Sequence, residues 1–114
     1  MNIDELTERI VKFRDERNWG QFHNPKDLAI SLALEAAEVL EHFQWKNEEG
    51  ISKHLSEKKG EVADELVDVL YWVLLMSHDL KIDLAEAFES KMKQNNEKYP
   101  VEKAYGKSDK HTDL

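Results

Sequence analysis

Ile3, Leu6, Ile10 and Phe13 recur at helical spacing with charged residues between them, which predicts an amphipathic helix over about Ile3 to Asn18. Trp19 to Asn24 shows no period and reads as a loop. It carries several groups able to touch a ligand, Trp19, Gln21 and His23, with Phe22 read as a packing residue. The next helix has a clear start: Asn24 suits the N-cap, Pro25 the first helical position, and Asp27 favours the dipole of the first turn. It is expected to run to about Trp45. With Leu28, Ile30, Leu32, Leu34, Val39, Leu40 and Phe43 interspersed with alanines, it is apolar nearly all round and should be central. Asn47 to Gly60 is polar, with room for a short helix around Ser52 to Lys58. A third long helix is predicted from about Glu61 to His78, apolar over most of its circumference and buried against the second. Asp83 with Glu86 forms a capping-box pattern that opens a fourth helix, with Leu84, Ala85, Phe88 and Met92 inward, ending at Tyr99-Pro100. The expected fold is therefore all-α, an antiparallel bundle of about four main helices over residues 1–100, followed by a polar, aperiodic tail over 101–114.

Composition narrows the class. The 114 residues set the expectation of one domain, and with 40% hydrophobic and 35% charged residues the chain is too apolar for disorder and too charged for a membrane protein. The 4 Gly and 2 Pro leave few breaks, which favours long helices. The longest unbroken apolar run, Val69 to Met76, has 8 residues, against about 20 for a membrane span. The first residues are charged throughout and lack the apolar core of a signal peptide, so a cytoplasmic location is expected. Lys plus Arg number 16 and Asp plus Glu 24, a net charge of −8, which disfavours nucleic acid and anionic lipid as partners. There is no cysteine, so disulfides, thiolate zinc sites and a cysteine nucleophile are excluded.

The informative residues are acids within apolar helices. Glu35 and Glu38 interrupt the second helix, and Glu65 and Asp68 the third, each pair spaced i, i+3 on one face, with Glu61 able to extend the latter. Acids at this spacing usually mark a solvated face, but here apolar residues flank them on both sides. Clustered carboxylates removed from water need a positive partner. No Lys or Arg lies within either apolar segment, and hard oxygen donors without thiolate or imidazole favour Mg²⁺ or Mn²⁺. A carboxylate-bridged di-iron site would need Glu-x-x-His motifs. Val39, Ile51 and Leu75 precede His42, His54 and His78 by three, so that motif is missing. The His78-Asp79 dipeptide is shared with His-Asp phosphohydrolases, but its expected role is at the end of the third helix.

The pairs Glu35-Ala-Ala-Glu38 and Glu65-Leu-Val-Asp68 resemble the acidic motifs of the all-α nucleoside triphosphate pyrophosphohydrolases, the MazG-like superfamily. The stretches FRDERNWGQFHNP, LEAAEVLEHFQWK, DELVDVL and SKMKQNNEKYP are most similar to the small branch that contains dCTP pyrophosphatase. The resemblance spans about Phe13 to Pro100. It departs from many MazG-like chains at Leu34, where an additional acid is common outside this branch, and at Trp72, where close relatives can carry Tyr.

The resemblance implies Mg²⁺-dependent cleavage of nucleoside triphosphates between the α- and β-phosphates, giving monophosphate and pyrophosphate. The substrate would be dCTP-like or base-modified, and the role house-cleaning of the nucleotide pool. Glu35, Glu38, Glu65 and Asp68 would hold the metal and carry catalysis, with Glu38 orienting or deprotonating the water. Lys91 and Asn95, a K-x-x-x-N block on one face of the fourth helix, resemble a phosphate-binding face. Trp19, Trp45 and Trp72 would enclose the base, and Gln21 and His23 would add hydrogen bonds. Two nearly all-apolar helices are hard to cover within one chain, so self-association is expected, and family members are dimers or dimers of dimers. Two rival functions are a non-enzymatic helical interaction module, indifferent to Mg²⁺, and a related metal-dependent hydrolase of another pyrophosphate such as phosphoribosyl-ATP.

Overall fold

The structure is a computed structural model that describes all residues, Met1–Leu114. It is all-helical: α1 (Ile3–Glu16), α2 (Pro25–Glu41), α3 (Glu48–Asp79), α4 (Leu84–Lys98) and the single turn α5 (Val101–Ala104), with short 3₁₀ turns at Trp19–Phe22 and His111–Asp113. The chain divides into two compact units, Met1–Lys81 and Ile82–Leu114. No helix is long and apolar enough to cross a membrane.

Each long helix begins on a side chain that accepts from an otherwise orphaned backbone N–H. Asn2 accepts from Glu5 at 2.9 Å, Asn24 from Asp27 at 2.9 Å, Asn47 from Gly50 at 2.9 Å and Asp83 from Glu86 at 3.1 Å. The Asn47 cap explains the first departure from expectation. The polar stretch after residue 47 does hold the short helix expected there, but that helix starts earlier, at Glu48, and runs across a kink at Lys58 (φ −127°, ψ 21°) straight into the long helix, with no loop between them. The second departure is at α2, which stops at Glu41 rather than Trp45: the backbone tightens into turn bonds, His42 to Val39 and Phe43 to Leu40, and then reverses at a left-handed Trp45 (φ 69°). Similarly α1 ends at Glu16, two residues early, before a left-handed Asn18 (φ 53°). The segment after Pro100, expected to be aperiodic, carries α5 and the second 3₁₀ turn.

In the first unit α2 and α3 are antiparallel neighbours. His42 meets His54 at 2.8 Å, and the Glu35/Glu38 pair meets Glu65/Asp68, so numbers fall on one helix as they rise on the other. α1 lies on α3 through Phe13 on Tyr71 and Arg14 on Asp79. The core is small: Leu28, Val62, Leu74 and Leu75. Each fully buried leucine contributes about 1.5–3 kcal/mol. The expectation that α2 and α3 are buried all round is corrected here. Leu34 is 61% exposed, Leu40 63% and Val67 61%, with Ile30, Leu66 and Leu70 also exposed, because one amphipathic helix covers only part of their circumference. Phe22, expected to pack, is also exposed.

In the second unit Leu84 is half-buried, whereas Ala85, Phe88 and Met92, expected to face inward, are exposed. Tyr99 sets its ring edge-on to His111, with centroids 5.8 Å apart.

Candidate active site

The acids that break the apolar pattern converge. One carboxylate oxygen each from Glu35, Glu38, Glu65 and Asp68 lies within 4.8 Å of the others. The i, i+3 spacing turns each pair toward the facing helix, and the antiparallel pairing of α2 with α3 brings the two pairs level. Glu61 stays outside the group and faces Lys58 at 3.6 Å. Glu35 and Glu65 are half-buried and Asp68 is exposed.

The electrostatics of the cluster are those of charges that crowd one another. Glu35 is raised from its ordinary carboxylate value by desolvation, by a hydrogen bond with Glu38 and by the charges of Glu38 and Asp68, with the Trp72 indole opposing. Glu65 is pushed up to about 7 by a hydrogen bond with Glu38, then by desolvation and by the charges of Glu38, Asp68 and Glu35. Oε2 of Glu35 and Oε2 of Glu65 are shut from solvent and have no hydrogen-bond partner. Two buried, unpartnered anionic oxygens in a ring of four carboxylates fit a hard divalent cation, since such an ion supplies the positive partner that no Lys or Arg provides.

Beside the cluster is a cavity of about 590 Å³ between α1 and α3. Glu35 and Asp68 form part of its wall, with Leu6, Ile10, Phe13, Trp19, Tyr71 and Trp72 supplying aromatic and aliphatic surface and Arg9 a cation. Its rings form a connected series that continues to His23 outside the lining. Trp19 stands edge-on to Phe13 (5.7 Å), Phe13 to Tyr71 (6.3 Å), Tyr71 to Trp72 (5.0 Å) and Trp72 to His23 (5.6 Å). His23 Nδ1 is buried without a partner. Of the other residues singled out in the sequence, Gln21 is exposed, and its Nε2 donates to the Asn18 carbonyl at 2.9 Å. Trp45 is 94% exposed on the α2–α3 turn and does not line the cavity in this chain. Lys91 and Asn95 lie on α4 in the second unit, with Lys91 exposed and Asn95 half-buried.

Sequence reasoning missed Tyr71 and Arg14. Tyr71 is hidden within an apolar run, where one more aromatic carries no signal. Arg14 had a signal: it follows Ile10 by four residues and so falls on the apolar face of α1. It is the one buried residue of that helix, and it donates to Asp79 through Nη1 at 2.6 Å and Nη2 at 3.0 Å.

Four carboxylates on two adjoining helices, next to an aromatic cavity, are a donor set able to hold a hard cation beside a ligand with a flat apolar group. Comparison with known proteins agrees. The model of the MazG-like family matches residues 30–114. dCTP pyrophosphatase 1 of Mus musculus is 34% identical over 98% of this chain and 67% of its own length, and that of Homo sapiens is 33% identical over the same shares. The crystal structure of a pyrophosphatase from Archaeoglobus fulgidus superposes with a TM-score of 0.80 at 41% identity, covering 85% of this chain and 91% of that one. The chain belongs to the MazG-like family, and it is a nucleotide pyrophosphatase.

Proposed function

We propose that the protein hydrolyses (deoxy)nucleoside triphosphates, dCTP-like or base-modified, at the α–β phosphoanhydride in a Mg²⁺-dependent reaction, as part of cytoplasmic nucleotide-pool house-cleaning. The observation that carries this reading is the ring of four carboxylates with two buried, unpartnered oxygens. The names of the relatives add the substrate class.

In this reading Glu35, Glu38, Glu65 and Asp68 hold Mg²⁺, with Mn²⁺ an alternative of the same donor preference. The bound ion supplies charge neutralisation on the phosphates and a water acidified toward neutral pH. The chain's own groups do the rest. A water oxygen attacks the α-phosphorus, the bond from that phosphorus to the bridging oxygen breaks, and pyrophosphate leaves with the electron pair. Glu38 orients the water and takes its proton. Trp19 and Trp72 offer the base flat apolar walls. His23, whose Nδ1 has no partner, and Gln21, on the 3₁₀ turn before it, add hydrogen bonds to the base. Lys91 and Asn95, on α4 in the second unit, are a donor pair of the kind that binds phosphate oxygens.

The protein acts as a homodimer or a dimer of dimers. Ile30, Leu34, Leu40 and Leu66, exposed and outside the cavity wall, are apolar side chains that a second chain would cover, completing an antiparallel bundle. The ring of Trp45, held in a strained left-handed conformation and turned into solvent, then serves a site across the interface.

The test is a product assay on canonical and base-modified triphosphates with Mg²⁺ and with EDTA, beside Glu38→Ala. Monophosphate and pyrophosphate formed only with Mg²⁺, and lost in the variant, are the expected result. Diphosphate and phosphate, or no turnover by folded protein, would overturn the reading.

A further inference from the structure

α1 forms one wall of the aromatic cavity, and that costs it packing. Where a core would ordinarily lie between α1 and α3 there is open volume of about 590 Å³. Phe13 remains 42% exposed and Ile3 45%, and the helix buries a single residue, which is charged. That residue, Arg14, reaches the last residue of α3 with two parallel hydrogen bonds to the Asp79 carboxylate. Asp79 in turn meets Nδ1 of His78 at 3.0 Å. A bidentate guanidinium–carboxylate pair fixes orientation as well as distance, because both groups are planar.

Arg14 also supports the chain that follows α1. Gly20 lies against its side chain: a Cβ there would sit 3.7 Å from Arg14 Nε. Trp19, the residue before, rests edge-on against Phe13, the residue before Arg14. The Arg17 guanidinium covers the other side of this corner, 3.7 Å from the Phe13 ring centroid and 5.9 Å from that of Trp19. The 3₁₀ turn thus rides on α1, and α1 is oriented on α3 by the ion pair.

We infer that the Arg14–Asp79 pair is the positioning element of the substrate cavity: it sets the distance between α1 and α3 and thereby places the Trp19 ring in the cavity wall it shares with Trp72. Neither residue touches substrate. The inference rests on the reading that this cavity takes the base. It predicts that breaking the pair acts through Trp19, on binding more than on the chemical step.

The test is a double-mutant cycle of Asp79→Asn with Trp19→Ala, read as KM and kcat on the best triphosphate, together with fluorine NMR of fluorotryptophan-labelled protein. Asp79→Asn is expected to raise KM about tenfold with kcat within about twofold, to change KM little further in the Trp19→Ala background, and to shift or broaden the Trp19 resonance. Equal effects of Asp79→Asn in both backgrounds, or an unmoved Trp19 resonance, would overturn the inference. Should Asp79→Asn fail to fold, Arg14→Lys, which keeps the cation and loses the two-point contact, is read in the same way. The fluorine arm needs no substrate. A displaced Trp19 resonance in a protein that turns over no triphosphate supports the tie between the ion pair and Trp19 and overturns the functional reading instead.

Discussion

Glu35 and Glu65 each hold one oxygen away from water with nothing bonded to it, inside a group of four acids. Without a cation this arrangement is self-repelling. Replacing one acid by its amide relieves that repulsion, so Glu65→Gln is expected to raise the metal-free Tm by a few degrees, since about 1 kcal/mol corresponds to roughly 4–8 °C in a small domain. The same substitution should lower turnover by about 10²–10³, the usual cost of losing a preorganised electrostatic partner, and abolish the Tm gain that Mg²⁺ gives the parent. Scanning calorimetry with and without Mg²⁺, beside a rate assay, separates the two effects. Asp79 has the opposite character. Burial alone would raise it, but the Arg14 hydrogen bond, then His78 and the charges of both, hold it below the ordinary aspartate value. Arg14 is raised in turn, first by its bond to Asp79. Above about pH 4, the ordinary aspartate value, Asp79 is ionised in the folded and unfolded chains alike, and its stabilisation is complete. As pH falls below that, the unfolded chain takes up the proton first, and the stabilisation is lost by the time pH has passed the lower folded value. Asp79→Asn should therefore cost about 1.5–3 kcal/mol at neutral pH, the range for charge-assisted hydrogen bonds. Urea melts of parent and variant should converge in acid.

At the scale of elements, glycine and the caps make the sharpest expectations. Gly60 lies within α3, and a Cβ there would meet nothing within 4 Å. Gly60→Ala is expected to stabilise by about 0.8–1 kcal/mol, the helix-propensity difference. Asn24→Ala should destabilise by about 1 kcal/mol through loss of the α2 cap. Both are read from denaturant midpoints at constant m-value. These caps also show what was legible in the sequence. Asn24-Pro25 and Asp83 with Glu86 placed the starts of α2 and α4 correctly, because a cap is local chemistry. Asn47 with Glu48 and Glu49 is the same kind of signal, but low apolarity hid where the short helix before Lys58 starts and that it joins the long one without a loop. Periodicity reports which face is buried, and this stretch buries little. The end of α2 was illegible for a different reason: only the backbone shows that Trp45 is left-handed. For the site, the i, i+3 acids stood out because they contradict their apolar surroundings, and the structure brings all four together. The Arg14–Asp79 contact joins residues 65 positions apart, and the cavity is walled by α1 and α3, so no local pattern encodes either.

For the whole molecule, the exposed leucines and valines of α2 and α3 are the feature that one chain leaves unresolved. Leu34→Arg would put a charge in the middle of that surface. It is expected to shift sedimentation to the monomer at micromolar concentration and to lower activity with it, while an unchanged sedimentation coefficient would remove this surface as the interface. Trp45 makes the same question answerable without any substitution. A tryptophan that is 94% exposed emits to the red and is freely quenched by acrylamide, whereas Trp19, 43% exposed, and the half-buried Trp72 are bluer and less open to the quencher. The protein thus carries its own optical reporter at the tip of the α2–α3 turn. Dilution that uncovers this ring, or nucleotide that covers it, would be visible as a change in colour and quenching, and the concentration at which the colour changes would give the association constant directly.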